Sequence, residues 1–91
     1  MKAGVNLTVK GRVQGVGFRW FVVHVAKELE ITGYVKNLYN GDVEVEAEGE
    51  RSKLEILITQ VRKGPGFARV TDVVIEWKEY RGKYTSFNVE F

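Results

Sequence analysis

Val5-Asn-Leu-Thr-Val9 alternates apolar and polar side chains, the two-residue period of a strand with one buried face. A glycine-rich stretch follows, Gly11-Arg-Val-Gln-Gly15-Val-Gly17, and then the period changes. From Phe18 to Ile31, Phe18, Val22, Val25 and Leu29 recur at helical spacing while Lys27, Glu28 and Glu30 fall on the other side. That pattern predicts an amphipathic helix. Gly33-Tyr-Val-Lys-Asn-Leu38 predicts a second strand, and the Asn40-Gly41 after it is a strong hairpin signal. The third strand alternates plainly, with Val43, Val45 and Ala47 inward and Asp42, Glu44, Glu46 and Glu48 outward on a solvated face. Glu50 to Lys63 predicts a second helix resting on Leu54, Leu57, Ile58 and Val61, with Arg51 and Glu55 four apart. Gly64-Pro65-Gly66 ends it. Val73, Ile75 and Trp77 line one face of a fourth strand, and Phe87, Val89 and Phe91 form a short fifth.

The order is β-α-β-β-α-β plus a final strand. Two helices on one face of a mainly antiparallel sheet give an α+β, ferredoxin-like sandwich. This architecture hosts many unrelated activities, so it does not by itself name one.

Composition narrows the class. The 91 residues suit one domain, 1–91, and 44% hydrophobic with 29% charged residues is the balance of a globular chain. The longest wholly apolar run is the four residues Trp20 to Val23, too short to span a bilayer. The first residues have no apolar segment of the secretory type, so a cytoplasmic protein is expected. Without cysteine there is no disulfide, thiol nucleophile or thiolate metal site. The net charge of +2 hides an asymmetry: residues 1–27 carry five Lys or Arg and no carboxylate, whereas 28–91 carry nine against twelve acids. A basic half points to an anionic partner.

The first strand-to-helix junction breaks a local rule. Helices favour a Ser, Thr, Asp or Asn cap and acids in the first turn, because the N-terminal end of the dipole is positive. Here stand glycines and Arg19. An anion would compensate. Gly15 and Gly17 can turn successive N–H groups inward as a nest, the helix terminus adds unpaired donors, and Arg19 offers a planar fork matching two phosphate oxygens. An ordinary glycine turn beside a solvated arginine is the other reading, and composition leaves both open. Walker A spacing is absent, and Trp20 stands where a dinucleotide fingerprint needs its third glycine.

Val9-Lys-Gly-Arg-Val-Gln-Gly-Val-Gly-Phe-Arg19 resembles the first acylphosphatase signature, V-x-G-x-V-Q-G-V-x-F-R. Gly33-Tyr-Val-Lys-Asn37, followed by Gly41, Val43 and Gly49, resembles the second. Both occur in the family's order and spacing, and the resemblance runs over essentially the whole chain. It implies an enzyme that hydrolyses the carboxyl–phosphate bond of acyl phosphates to a carboxylate and inorganic phosphate, without metal or cofactor. It further implies that Arg19 and the loop Gln14, Gly15, Val16, Gly17 and Phe18 bind the phosphoryl group, and that Asn37 orients the attacking water. Inorganic phosphate is then both product and inhibitor, and a monomer with no nucleic-acid or membrane partner is expected. The loop holds no His, Asp or Glu, which suits a substrate whose leaving group needs little acid catalysis and a loose transition state that needs positioning and charge.

The remaining chemistry-bearing residues have plainer readings. His24, the single histidine, is expected to be structural and partly exposed, and one histidine rules against a His-rich metal site. Arg12 and Lys36 are expected to serve solubility ahead of any role at the loop, and Tyr34 and Trp20 to pack. An RNA-binding sheet of this architecture would stack bases on aromatics of its first and third strands, but the first has none and the third offers four acids. An accessory domain like those fused within hydrogenase-maturation proteins is a third class, against which the chain length speaks.

Overall fold

The computed structural model describes all residues 1–91. Its elements are β1 (Lys2–Arg12), α1 (Phe18–Glu28), β2 (Thr32–Asn37), β3 (Val43–Glu50), α2 (Arg51–Lys63), β4 (Arg69–Lys78) and β5 (Phe87–Glu90). The strands make one sheet in the order β4-β1-β3-β2-β5. Every pairing is antiparallel except that of β2 with β5. The expected ferredoxin-like arrangement is the one observed, with a parallel strand added at one edge.

Register follows from the alternation. Val5 faces Ala47, Leu7 faces Val45 and Val9 faces Val43, while Val35 meets Val45 from the other side. All of these are fully buried. A one-residue slip would turn the whole set to the opposite face, so burial fixes the pairing. Phe18, Val22 and Ala26 of α1 and Leu54, Leu57 and Val61 of α2 close over this face. Truncating a core residue such as Leu57 to alanine costs roughly 2–5 kcal/mol, because the lost transfer energy adds to a cavity.

Three expectations are modified. The first helix ends at Glu28, three residues short of Ile31, in a Schellman turn: Ile31 N–H donates to Ala26 O at 2.9 Å and Glu30 N–H to Lys27 O at 3.1 Å. Glu30 takes the left-handed angle there, φ 58°, with no glycine to ease it. The β2–β3 hairpin is wider than a two-residue turn, because only Gly41 has positive φ and Asn40 instead accepts the Asp42 N–H on its side chain. The outward acids of β3 do not form a solvated face. Glu48 is buried, Glu46 pairs with Lys78 and Asn6, and Glu44 accepts from Asn6 and the Tyr34 hydroxyl.

The reason lies in the topology. Strands β4 and β5 border opposite edges, so the connection 79–86 has to cross the sheet. Glu48 holds it there, its carboxylate accepting Arg81 N–H at 2.7 Å and Lys83 N–H at 2.9 Å, and Tyr84 rests edge-on against Tyr34.

Candidate active site

The residues singled out in the sequence gather at one end of the sheet. Strand β1 leaves the sheet at Arg12 and runs into the 13–17 loop, and α1 starts at Phe18. Asn37 is the last residue of β2 and pairs with Val43, which in turn faces Val9 of β1. Gln14 joins the two segments. Its side-chain amide donates to Leu38 O at 2.8 Å and to Asp42 O at 2.9 Å, tying the loop to the hairpin that carries Asn37.

Loop conformation is set by glycine. Gly15 and Gly17 sit at φ 74° and 77°, angles that L side chains resist, and a Cβ at either would meet nothing within 4 Å. The space is open, so it is the backbone angle that demands glycine. Gly17 is the helix N-cap and offers no side-chain cap, and the first turn has no acid. None of the N–H groups of residues 15–20 donates to a protein acceptor; the first helical bond is Phe21 N–H to Gly17 O at 3.1 Å. These donors and the helix dipole give a concave positive surface.

Each side chain of the loop does something distinct. Phe18 is buried, its ring 5.9 Å from that of Phe21, so it anchors the helix start in the core and leaves only its main chain to the loop. Val16 packs partly against the core. The Gln14 side chain is committed to the hairpin, a role the sequence did not reveal; a glutamine fixed between a buried valine and a glycine was its only signal. Arg19 is half-buried and makes no ion pair, its guanidinium lying 5.2 Å over the Phe91 ring. Its charge is therefore unneutralised beside the free amides.

Asn37 carries the one buried side-chain polar atom without a hydrogen-bond partner, Oδ1. Buried polar atoms are nearly always satisfied, and an orphan acceptor at this place is suited to a donor brought by a ligand or water. Asp42, the carboxylate nearest along the hairpin, is engaged by Lys10 at 2.9 Å and Asn40 at 3.2 Å.

The other residues fall mostly as read. His24 is exposed on α1, its Nε2 3.7 Å from Glu28. Tyr34 packs against Tyr84, whereas Trp20 does not pack: it is 63% exposed, because α1 turns Phe18, Val22 and Ala26 inward and position 20 to the opposite side. No three His, Cys, Asp or Glu side chains converge to hold a metal ion. The largest cavity, about 240 Å³, is at the other end of the sheet among Lys2, Glu30, Glu48, Glu50, Lys53 and Tyr80, where three carboxylates outnumber two cations. It offers an anion less than the loop does, and the loop remains the candidate site.

The acylphosphatase family model matches residues 5–89. An acylphosphatase of Caldanaerobacter subterraneus subsp. tengcongensis is 46% identical over 89 residues, covering 98% of this chain and 99% of the relative. The crystal structure of acylphosphatase from Bacillus subtilis superposes with a TM-score of 0.94 at 35% identity, covering all of both chains. The structure of an acylphosphatase from Coxiella burnetii gives 0.92 at 43% identity, covering 98% of this chain and 93% of that one.

Proposed function

The chain belongs to the acylphosphatase family and hydrolyses acyl phosphates, and on that premise we propose how its residues divide the work. The phosphoryl oxygens rest on the free amides of Gly15, Val16, Gly17 and Phe18, with the main chain of Gln14 at the loop's entry. Arg19 closes the cradle with two parallel donors, a fit that a lysine point charge does not reproduce. Asn37 holds the attacking water, its orphan Oδ1 accepting one of the water's protons in a hydrogen bond and thereby aiming the oxygen at phosphorus. The transition state is loose, with charge spread over the equatorial oxygens, so positioning and preorganised donors supply the catalysis. Carboxylate and inorganic phosphate leave, and phosphate competes for the same cradle. The whole span 1–91 acts as one domain, in the cytoplasm and as a monomer, needing neither metal nor cofactor.

The observation that carries this reading is the row of unpaired N–H groups at residues 15–20 beside an arginine with no carboxylate partner. The test is hydrolysis of benzoyl phosphate in a chelator, followed by loss of its ultraviolet absorbance. Arg19→Ala should lower turnover about a hundred- to a thousandfold, the effect of losing one transition-state donor. Near-normal turnover in Arg19→Ala would overturn the assignment, and a requirement for added divalent cation would overturn metal independence.

A further inference from the structure

We propose that Arg12 and Arg69 form a second anion subsite at the rim of the cradle, selecting acyl phosphates whose acyl part carries its own negative charge. The proposal rests on the phosphoryl cradle described above and names the class of substrate that cradle serves.

Strands β1 and β4 pair regularly from Gly4–Lys78 to Lys10–Asp72, and continuing that register would set Arg12 against Val70. It does not continue. A bulge between Lys10 and Gly11 gives β4 one extra residue, Thr71, and Gly11 then faces Val70 while Arg12 faces Arg69. The irregularity is what brings the two arginines directly opposite each other, at the last pair before the loop. Bulges are retained beside active sites because they re-aim side chains. Gly11 secures this one: at φ 124°, any Cβ it carried would run into the Arg69 carbonyl oxygen.

Like charges directly opposite across an antiparallel pair are destabilising. Nothing in the protein relieves this pair. Both arginines are exposed, and neither guanidinium takes part in an ion pair, a side-chain hydrogen bond or an aromatic contact. The other cations of these two strands are matched: Lys10 with Asp42, Lys78 with Glu46, and Lys2 with the Tyr80 ring. The acid on this strand end, Asp72, lies opposite Lys10 and bonds the Val73 N–H.

The pair also lies at the cradle's end of the sheet, as the last residues that β1 and β4 pair. Arg12 leads directly into the loop, and the segment before Arg69 reaches the cradle's anchor, a Cβ built on Gly64 lying 3.7 Å from the Phe18 ring. Two guanidinium forks side by side match the oxygens of a carboxylate or phosphate. A phosphoryl group held at Arg19 and a second anion held at Arg12 and Arg69 orient the acyl phosphate at both ends.

The experiment compares benzoyl phosphate with its 3-carboxy, 4-carboxy and 4-phosphono derivatives, rigid mixed anhydrides that vary the reach and the kind of anion. The readout is the ratio of kcat/KM for each derivative to that for benzoyl phosphate, which cancels losses common to both. At low salt the wild-type ratio should reach about five for at least one derivative, the worth of two exposed ion pairs, and fall as salt rises. In the Arg12→Gln/Arg69→Gln protein the ratio should drop to about one, and relief of repulsion should leave the thermal midpoint unchanged or higher. A wild-type ratio near or below one for all three derivatives, or a high ratio surviving in the double variant, would overturn the subsite. Failure of the wild-type protein to hydrolyse benzoyl phosphate would instead overturn the cradle.

Discussion

The side-chain amide of Gln14 donates to the Leu38 carbonyl at 2.8 Å, across 24 residues of chain. With its second bond to Asp42 O, this contact sets how far the loop amides stand from Asn37. Gln14→Leu keeps the bulk and removes both donors. It should cost about 1–3 kcal/mol of stability, two hydrogen bonds of ordinary worth, and lower kcat beyond what KM changes. Urea unfolding together with steady-state kinetics measures both. A variant that loses stability yet keeps wild-type turnover would show that the tether serves only the fold.

Asn37 offers an opposite balance. Its Oδ1 is buried and unpaired, so Asn37→Ala removes a desolvated acceptor and should not lower the thermal midpoint. Turnover should nevertheless fall about a hundredfold, the scale of losing one positioning contact, with the inhibition constant for phosphate little changed. Parallel loss of turnover and phosphate affinity would assign Asn37 to holding the anion.

Glu48 tests the crossing connection. Its carboxylate accepts two main-chain N–H groups, and an amide at that position has one acceptor oxygen for two donors. Glu48→Gln should cost about 1.5–3 kcal/mol, the worth of a charge-assisted bond, whereas Glu55→Gln on the exposed face of α2 should cost under about 0.5 kcal/mol. Hydrogen exchange at Arg81 and Lys83 should accelerate in the first variant and stay the same in the second.

Alkaline pH probes the same face. Burial, then the neighbouring Glu44 carboxylate that accepts its hydroxyl, pushes the Tyr34 phenol above its ordinary 10.0, and burial with Glu46 raises Tyr84. A raised acid pKa means the folded state holds its proton where the unfolded chain has released it. The stabilisation is complete below pH 10 and declines as pH rises through the folded value. Wild-type stability should therefore fall above about pH 10, and Tyr34→Phe should flatten that fall. Equal slopes in the two proteins would contradict the assignment.

Much of this was legible in the residues because periodicity reports which face is buried. The alternation of β3 and the spacing of α2 placed Val43, Val45, Leu54 and Leu57 in the core without any structure. The loop was legible for another reason: glycines and an arginine stand where a cap and acids belong, and the helix start is indeed uncapped and without an acid. What the sequence hid were contacts between distant segments. The Glu48 carboxylate looks like every other outward acid until a connection from residue 79 onward is seen crossing it, and Trp20 looks like a packing residue until its turn of helix is placed. The bulge at Thr71 leaves no periodic trace either, since Val70 and Val73 both stay on the inner side.

The crossing also divides the chain by task. The loop, the tether and Asn37 lie between Arg12 and Val43, and the longer of the two tether bonds closes the 28 residues from Gln14 to Asp42. Glu48 must wait for partners 33 and 35 residues further on before β5 can reach β2. Local contacts form faster than distant ones, so the half that carries the loop can take shape while the opposite edge is still open. On that order β5 is expected to join β2 last, and an interrupted synthesis to leave that edge exposed.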